Sequence, residues 1–595
     1  MKSHEPIVER LQHVLGRLSP SESTKGLALA IAVGVAAGLG AVAFRWMIKG
    51  FQWVFFTKGA EAFSAIGDHY VIVLPIIGGL IFAPLIYFFA REAKGEGPPD
   101  VMRAVAVGGG RIRPRVAAVK TLVSSICIGS GGSVGREGPI VQIGASVGSA
   151  LGQWFRLPDE WLKTLVLCGA AGGIAATFNA PVGGVFFALE VISRRITTRR
   201  LFNVMVSAIA ASYVSWMFLG ANPSFTVKQY ALGSYWEIVP YIVLGILAGL
   251  LSVGFIRFFF RVEGFFNSIK VHALLKPALG GIAIGAMGYY YAGIFGVGYG
   301  GSYGVGGVFA TSGPVDQMLA GQLGLSILIA LLFLKIIATS VTLGSGGSGG
   351  IFAPSLFIGA ALGGVFAMVA DRIFPGVISS TGAYSLIGMA AFFAAAVHGP
   401  ITAIVLLVEM TRDIQLLLPL MTAVVVAMLT ARAFSKYSIY TLRLKRSGVD
   451  IHEEEVVPLM RTITVAEAMT RDFPTVPHTM PVSELVTKLV ETGHHGFPVV
   501  DEHGRLFGVV TLTDVEASRH SNIPNLKVSD IATKSLMVAY PDQSVYDALM
   551  RLGAKDVGRI PVVDRNDRTR LLGVLRRHDI INAYKKKLAE DIPSE

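Results

Sequence analysis

The sequence predicts an all-α polytopic membrane domain made of two repeated halves with broken helices, followed by a soluble α/β tail. Three observations carry this. The 595-residue chain is 52% hydrophobic and 15% charged, with mean hydropathy +0.58, too apolar for an ordinary soluble protein. Two glycine-rich stretches, GSGGSVGREGP (Gly129–Pro139) and GSGGSGGIFAP (Gly344–Pro354), share a spelling. After Arg446 the composition turns polar and acidic.

The first residues, MKSHEPIVERLQHVLGRLSPSES, are polar and amphipathic and lack the apolar core of a secretory signal; Ser21, Glu22 and Ser23 are candidate caps for the first spanning helix. Apolar runs then recur from Gly26 to Ala433, among them Leu27–Val42, Val71–Ala90, Ile242–Phe260 and Leu323–Ile337. Several approach the ~20 residues that cross a bilayer. The formal net charge is +12, and its basic clusters (Gly108–Arg115, Ser193–Arg200, Tyr440–Arg446) flank apolar runs. That placement fits cytoplasmic loops better than nucleic-acid binding. Cys127 and Cys168 lie in apolar segments and read as buried thiols.

The twin stretches align without gaps at an offset of 344 − 129 = 215. A second pair follows: FNAPVGGVFFALEV (Phe178–Val191) matches VHGPITAIVLLVEM (Val397–Met410), with Pro181 to Pro400 and Glu190 to Glu409 both 219 apart. Two ordered matches make an internal repeat, with a four-residue insertion between them. Repeated halves interrupted by Gly and Pro at matched positions point to a transport site between the repeats. Close helix packing explains much of the glycine content, but not glycine clusters placed just ahead of matched prolines.

Gly344-x-Gly346-x-x-Gly349 formally matches a dinucleotide fingerprint, yet no βαβ pattern surrounds it. A glycine turn followed by Pro is a helix start, and a helix start exposes unpaired N–H groups at the positive end of the dipole. Two such ends meeting inside a membrane make an anion site without a fixed cation. Glu137 is an ionisable group at one of them, a functional candidate by its cost. Its carboxylate can occupy the site it guards. A salt bridge to Arg136 is the plainer role, although neighbours at a helix start are expected to point apart.

These residues, GREGP followed by IVQIGA, then GGIFAP and the FNAPVGGVFFALEV pair, resemble the CLC family of chloride channels and chloride/proton exchangers. The resemblance covers roughly residues 24–446. It implies the CLC fold with two inverted-topology repeats and a homodimer with one anion pathway per subunit. It makes Glu137 the gate, flanked by Gly135 and Arg136. It places Gly350, Ile351 and Phe352 where backbone N–H groups hold the central anion, and Tyr440 where a hydroxyl touches it, with Tyr437 as a competitor. The first selectivity segment corresponds to Gly95, Glu96, Gly97 and Pro98. Here Glu96 stands where the family has serine, which bears on anion preference because a second carboxylate repels an anion unless it is protonated or turned away. Val191 stands where the family's exchangers carry a proton-transfer glutamate, and valine carries no proton. Glu190 and Glu409 recur at matched positions and read as structural, at helix ends.

The tail repeats too: GFPVVDEHGRLFGVVTLTDV (Gly496–Val515) matches RIPVVDRNDRTRLLGVLRRHDI (Arg559–Ile580), each preceded by an amphipathic helix. It resembles a CBS pair. That implies adenine nucleotide (ATP, ADP or AMP) at Thr511, Asp514 and Asp579; the second copy lacks the hydroxyl and offers Arg576 or Arg577 to phosphate instead. A dimer-bracing tail is the alternative. His494 and His495 lack metal-ligand spacing, and no metal is expected.

The expected organisation is a cytoplasmic segment 1–23, a membrane domain 24–446 with halves of about 24–219 and 237–440, and a linker 447–464. CBS copies at 465–527 and 528–584 and a tail 585–595 follow. The expected function is passive transport of chloride or a similar small anion, in a plasma (inner) membrane with both termini cytoplasmic, with no enzymatic activity and no required cofactor. A chloride/proton antiporter using Glu96 is the runner-up, and a non-conducting, membrane-tethered nucleotide sensor the third reading.

Overall fold

A computed structural model describes residues 22–90, 94–225, 235–296, 302–303, 309–310, 312–449, 460, 462–518, 525–554 and 558–591. Residues 1–21, most of the expected linker (450–459 and 461) and 592–595 lie outside the described residues, and with them Ser21 and nearly all of the N-terminal segment. The chain divides into two compact units, Met1–Val449 and Asp450–Glu595.

The first unit is helical. Its first half holds α1 (Glu22–Gln52), α2 (Tyr70–Phe89), α3 (Pro98–Ala106), α4 (Arg115–Gly129), α5 (Glu137–Trp154), α6 (Asp159–Phe178), α7 (Pro181–Phe186, continuing as a π-helical stretch Phe187–Ser193) and α8 (Thr198–Leu219). Its second half holds α9 (Ile238–Ser268), α10 (Lys276–Tyr290), α11 (Pro314–Leu319), α12 (Leu325–Gly344), α13 (Phe352–Ile373), α14 (Thr381–Val397), α15 (Pro400–Thr411), α16 (Leu417–Phe434) and α17 (Ile439–Arg446). Among the described residues, eight helices are long and apolar enough to cross a membrane, so the chain is a multi-pass integral membrane protein.

The halves pack alike. α5 lies on α6 as α13 lies on α14, and α1 on α8 as α9 on α16. The α5–α6 crossing puts Gly144 against the Gly169 carbonyl, and the α13–α14 crossing puts Gly359 against the Gly388 carbonyl, with no room for a methyl at either. Helices without a water-driven force between them associate through such close backbone contact. α6 ends on Asn179 and α14 on His398, both left-handed (φ 57° and 60°), and each is followed by Pro at the start of the next helix. A left-handed residue after the last turn, then Pro, is how a helix stops and another begins.

Two reciprocal contacts reveal an approximate two-fold relation. Gly135 N donates to Gly350 O (2.7 Å) and Gly350 N to Gly135 O (2.6 Å), an antiparallel bridge. Glu190 of α7 accepts from Ile401 N (3.0 Å), Thr402 N (2.7 Å) and Thr402 Oγ1 (2.6 Å) at the start of α15. Glu409 of α15 accepts from Val182 N (3.0 Å) and Gly183 N (2.6 Å) at the start of α7. Each carboxylate thus caps the other's helix, where free N–H groups and the dipole favour negative charge.

The helices after the twin stretches begin two residues earlier than Pro139 and Pro354 suggest, at Glu137 and Phe352. The prolines sit third in each helix, where a missing N–H is harmless.

The second unit contains α18 (Val465–Ala468), β1 (Val476–Pro477), α19 (Val482–Thr492), β2 (Gly496–Val500), β3 (Leu506–Thr511), α20 (Leu512–Ser518), α21 (Val528–Ile531), α22 (Val545–Ala554), β4 (Arg559–Val563), β5 (Leu571–Arg576) and α23 (Arg577–Asp591). Its sheets are β1-β2-β3 and β4-β5, with Gly496 opposite Thr511 and Arg559 opposite Arg576. The copies exchange their leading segments. Ile463 and Val465 are buried with Val545, Leu552 and Ile560 of the second copy. Val528 is buried with Val476, Leu485 and Phe497 of the first. The hydrophobic cores therefore do not divide at residue 528.

Candidate functional site

The site is built from helix starts. The Gly135–Gly350 bridge holds the starts of α5 and α13 together. Gly95 joins them, donating to Gly347 O (3.2 Å) and accepting from Gly349 N (3.3 Å), which brings in the start of α3. A methyl on Gly97 would lie 2.5 Å from Gly138 O, and one on Gly138 would fall on the Glu96 carbonyl oxygen and lie 2.7 Å from Gly350 Cα. Only glycine permits this approach. α17 is the fourth helix start, capped by Ser438, whose Oγ accepts from Thr441 N (3.2 Å).

Glu137 is fully buried. A methyl on Gly135 would meet Glu137 Oε2 and lie 3.1 Å from Ala353 N, so the carboxylate sits beside the first turn of α13. There Phe352 and Ala353 carry N–H groups and Pro354 has none. Arg136 does not diverge from Glu137: its Nε lies 3.8 Å from Glu137 Oε1. Arg136 is the N-cap residue, outside the helical spacing that separates neighbours. Ile351 and Phe352 are buried, and the Phe352 ring is wedged among Phe178, Phe187 and Phe393 at centroid distances of 5.0, 6.0 and 4.3 Å.

Tyr440, in the first turn of α17, is 1% exposed, and its hydroxyl has no hydrogen-bond partner among the described residues. Both Glu96 and Glu137 lie within electrostatic reach of it. Tyr437 is different: Lys445 Nζ donates to its hydroxyl and lies 4.1 Å from its ring centroid.

Glu96 is buried, at 2% exposure. Its Oε2 lies 2.7 Å from Arg443 Nε, and Arg443 Nη1 lies 2.9 Å from Glu263 Oε1. The Glu96 contact is an ion pair without an aligned hydrogen bond, since neither carboxylate oxygen accepts one among the described residues. Arg443 also lies over the Phe259 and Phe260 rings, 5.8 Å from each centroid.

Two buried lysines complete the charge pattern. Lys120 Nζ donates to Gly95 O (2.7 Å), and Lys335 Nζ donates to Ile294 O (3.1 Å) and Gly296 O (3.0 Å). They are 335 − 120 = 215 apart, the offset of the twin stretches. Lys120 is within electrostatic reach of Glu96, and Lys335 of Glu137. Sequence reasoning missed both, although the offset was a usable signal. It also missed Glu263, and it read Arg443 only as part of the Tyr440–Arg446 basic cluster, not as a partner of Glu96. Val191 is 4% exposed, and its neighbour Glu190 is occupied as the α15 cap.

In the second unit, Thr511 N (2.8 Å) and Oγ1 (2.7 Å) both donate to Asp514 Oδ2. In the second copy Arg576 replaces that hydroxyl and turns inward: its Nε (2.9 Å) and Nη2 (2.8 Å) hold the two Asp579 oxygens. The hydrogen bonds to Asp579 raise the pKa of Arg576, while burial and the nearby Arg576 lower that of Arg559. His494 stacks on Phe473 (4.9 Å). Partial burial, then Arg559 and Arg576, push its pKa below the ordinary histidine value.

A family model described as voltage gated chloride channel matches residues 78–432, and CBS domain models match residues 465–518 and 528–586. The H(+)/Cl(−) exchange transporter ClcA of Klebsiella pneumoniae is 31% identical over 439 residues, covering 71% of this chain and 88% of that one. Chloride channel protein CLC-f of Arabidopsis thaliana is 28% identical, covering 96% of this chain and 81% of the relative. Among solved structures, a slow cyanobacterial Cl−/H+ antiporter is 27% identical with a TM-score of 0.64, covering 72% of this chain and 99% of that one.

Proposed function

From the premise that this chain belongs to the CLC family of anion channels and exchangers, a transport family rather than an enzyme family, with a tandem CBS unit following, we propose that it works as a gated passive pathway for chloride or a similar small anion. Glu137 is the gate. The observation that carries this is the position of its carboxylate, beside the first-turn N–H groups of α13 where an anion is stabilised. The carboxylate stands in for the anion and gives way to it. Gly135, Arg136, Gly350, Ile351, Phe352 and Tyr440 form the surrounding anion site, and Gly95, Glu96, Gly97 and Pro98 its selectivity segment. The protein acts as a homodimer in the plasma (inner) membrane with both termini cytoplasmic.

Passive transport is favoured because Val191 carries no proton and Glu190 is held by three donors as a cap. A chloride/proton antiporter is the second reading. It is favoured by the buried Glu96 carboxylate near Tyr440 and by the similarity to the H(+)/Cl(−) exchange transporter of Klebsiella. Purified protein in liposomes, with chloride and proton movement read together, decides. Chloride flux without coupled protons is expected; uphill proton movement driven by chloride at a fixed ratio overturns the passive reading. At the CBS unit, ATP, ADP or AMP is placed at Thr511 and Asp514, while Asp579 is engaged by Arg576. Calorimetry with the three nucleotides tests this, and absence of heat favours a bracing role.

A further inference from the structure

Glu96 poses a physical problem for an anion pathway. A carboxylate beside the central tyrosine repels the ion that must pass it, and a buried charge without compensation is costly. The structure supplies one compensating cation in contact: among the described residues, Arg443 alone makes an ion pair with Glu96. Arg443 lies three residues after Tyr440 in α17, so the two side chains share a helix face. It is braced from the other side by Glu263 and by the Phe259 and Phe260 rings of α9.

We propose that Arg443 is the charge-compensating, specificity-determining residue of the anion pathway, and that the Glu96–Arg443 pair does the work of the serine found at this position in the family. This rests on reading the Tyr440 region as the anion pathway. The pair brings no net charge to the neck, where a lone carboxylate would close it and a lone guanidinium would trap the ion. The Tyr440 hydroxyl, buried and without a hydrogen-bond partner among the described residues, is left to donate to the passing anion. The surrounding charges do not replace Arg443. Lys120 is committed to the Gly95 carbonyl. Lys94 and Lys276 are in electrostatic reach of each other, and Lys94 also of Glu263 and Arg443; among the described residues neither lysine makes an ion pair with Glu96. Asp100 is in electrostatic reach of Lys120, Arg446 stacks on Phe260 (4.3 Å), and Glu137 lies 3.8 Å from Arg136 Nε.

The test is a charge-neutralising double-mutant cycle on the full-length protein: Arg443→Gln, Glu96→Gln and the double variant. Each is assayed for chloride flux in liposomes and for chloride affinity by calorimetry in detergent. Arg443→Gln alone is expected to lower flux and affinity up to about a thousandfold, the scale of one unit charge about 4 Å away at an effective dielectric near 20. Glu96→Gln alone should tighten chloride several-fold. The double variant should return to within about threefold of wild type, a rescue that a purely structural role for Arg443 would not produce. Arg443→Gln within threefold of wild type refutes the proposal. So does a double variant that elutes like wild type yet performs no better than Arg443→Gln. If Arg443→Gln does not fold, an unchanged chloride affinity in Glu96→Gln refutes it instead. A wild-type protein that carries no anion would sink the transport reading, while the order of chloride affinities would still decide whether Arg443 compensates Glu96.

Discussion

Glu190→Gln separates a helix cap from a proton carrier at the position next to Val191. Glu190 Oε2 accepts from Thr402 N and Oγ1, and Oε1 from Ile401 N. Glutamine keeps one carbonyl oxygen, which can hold Thr402, but its amide N–H₂ then faces the Ile401 N–H donor. One charge-assisted hydrogen bond, about 1.5–3 kcal/mol, is lost. The missing charge at the helix start removes about 0.3–1 kcal/mol more. The expected cost is about 2–4 kcal/mol, toward the low end because the carboxylate is only half-buried. That is roughly a 30- to 1000-fold drop in the folding equilibrium at about 1.4 kcal/mol per decade. Glu409→Gln removes the equivalent bond at α7, where the donors are Val182 N and Gly183 N, and should cost about the same. Unfolding of the purified protein in mixed micelles, followed by tryptophan fluorescence, measures both. The reasoning fails if Glu190→Gln stays within about 0.5 kcal/mol of wild type while changing proton movement, or if the two variants differ by more than about 2 kcal/mol.

Glu137→Gln removes the group that leaves its site by protonation, so flux should become nearly independent of pH and match the acid-limb value of wild type; an unchanged flux-versus-pH curve counts against the gate. Gly138→Ala places a methyl on the Glu96 carbonyl and 2.7 Å from Gly350 Cα, and should cost about 1–3 kcal/mol of stability as well as flux; wild-type values for both would show that the helix starts can separate. Arg576→Thr frees Asp579 from its ion pair, so calorimetry should reveal a second nucleotide equivalent, which Asp514→Ala leaves in place while abolishing the first. His494 titrates lower in the fold than its ordinary value, because burial and two arginines disfavour its charged form. Between those two values the unfolded chain binds more protons, so the second unit should lose stability as pH falls from about 6.5; protection of the β2 and β4 amides, corrected for the intrinsic exchange rate, that rises on acidification would reverse that sign.

What was legible in the sequence is what the repeat made periodic. The twin spelling at offset 215 anticipates the Gly135–Gly350 bridge, and the 219 offset of Glu190 and Glu409 anticipates two helix-end carboxylates, because a repeat related by two-fold symmetry must make such contacts reciprocally. Lys120 and Lys335 obey the same arithmetic. Glu96 and Arg443 do not. They stand 347 residues apart, neither has a repeat mate of its own kind, and only the folded neck brings them together. The exchanged leading segments of the CBS copies were hidden for a similar reason: Val465 and Val528 look like ordinary apolar residues until the core that buries each one is known. The insertion that changes 215 to 219 follows the same logic. Gly144 and Gly148 of α5 match Gly359 and Gly363 of α13 at 215, while Gly169 of α6 matches Gly388 of α14 at 219. The extra residues therefore fall at the end of α13 and in the turn before Thr381, a largely exposed connection. Lengthening there alters neither the helix starts at the site nor the glycine crossings behind them. Both motif pairs could thus keep their register across an insertion, and the site could be read from two offsets instead of one.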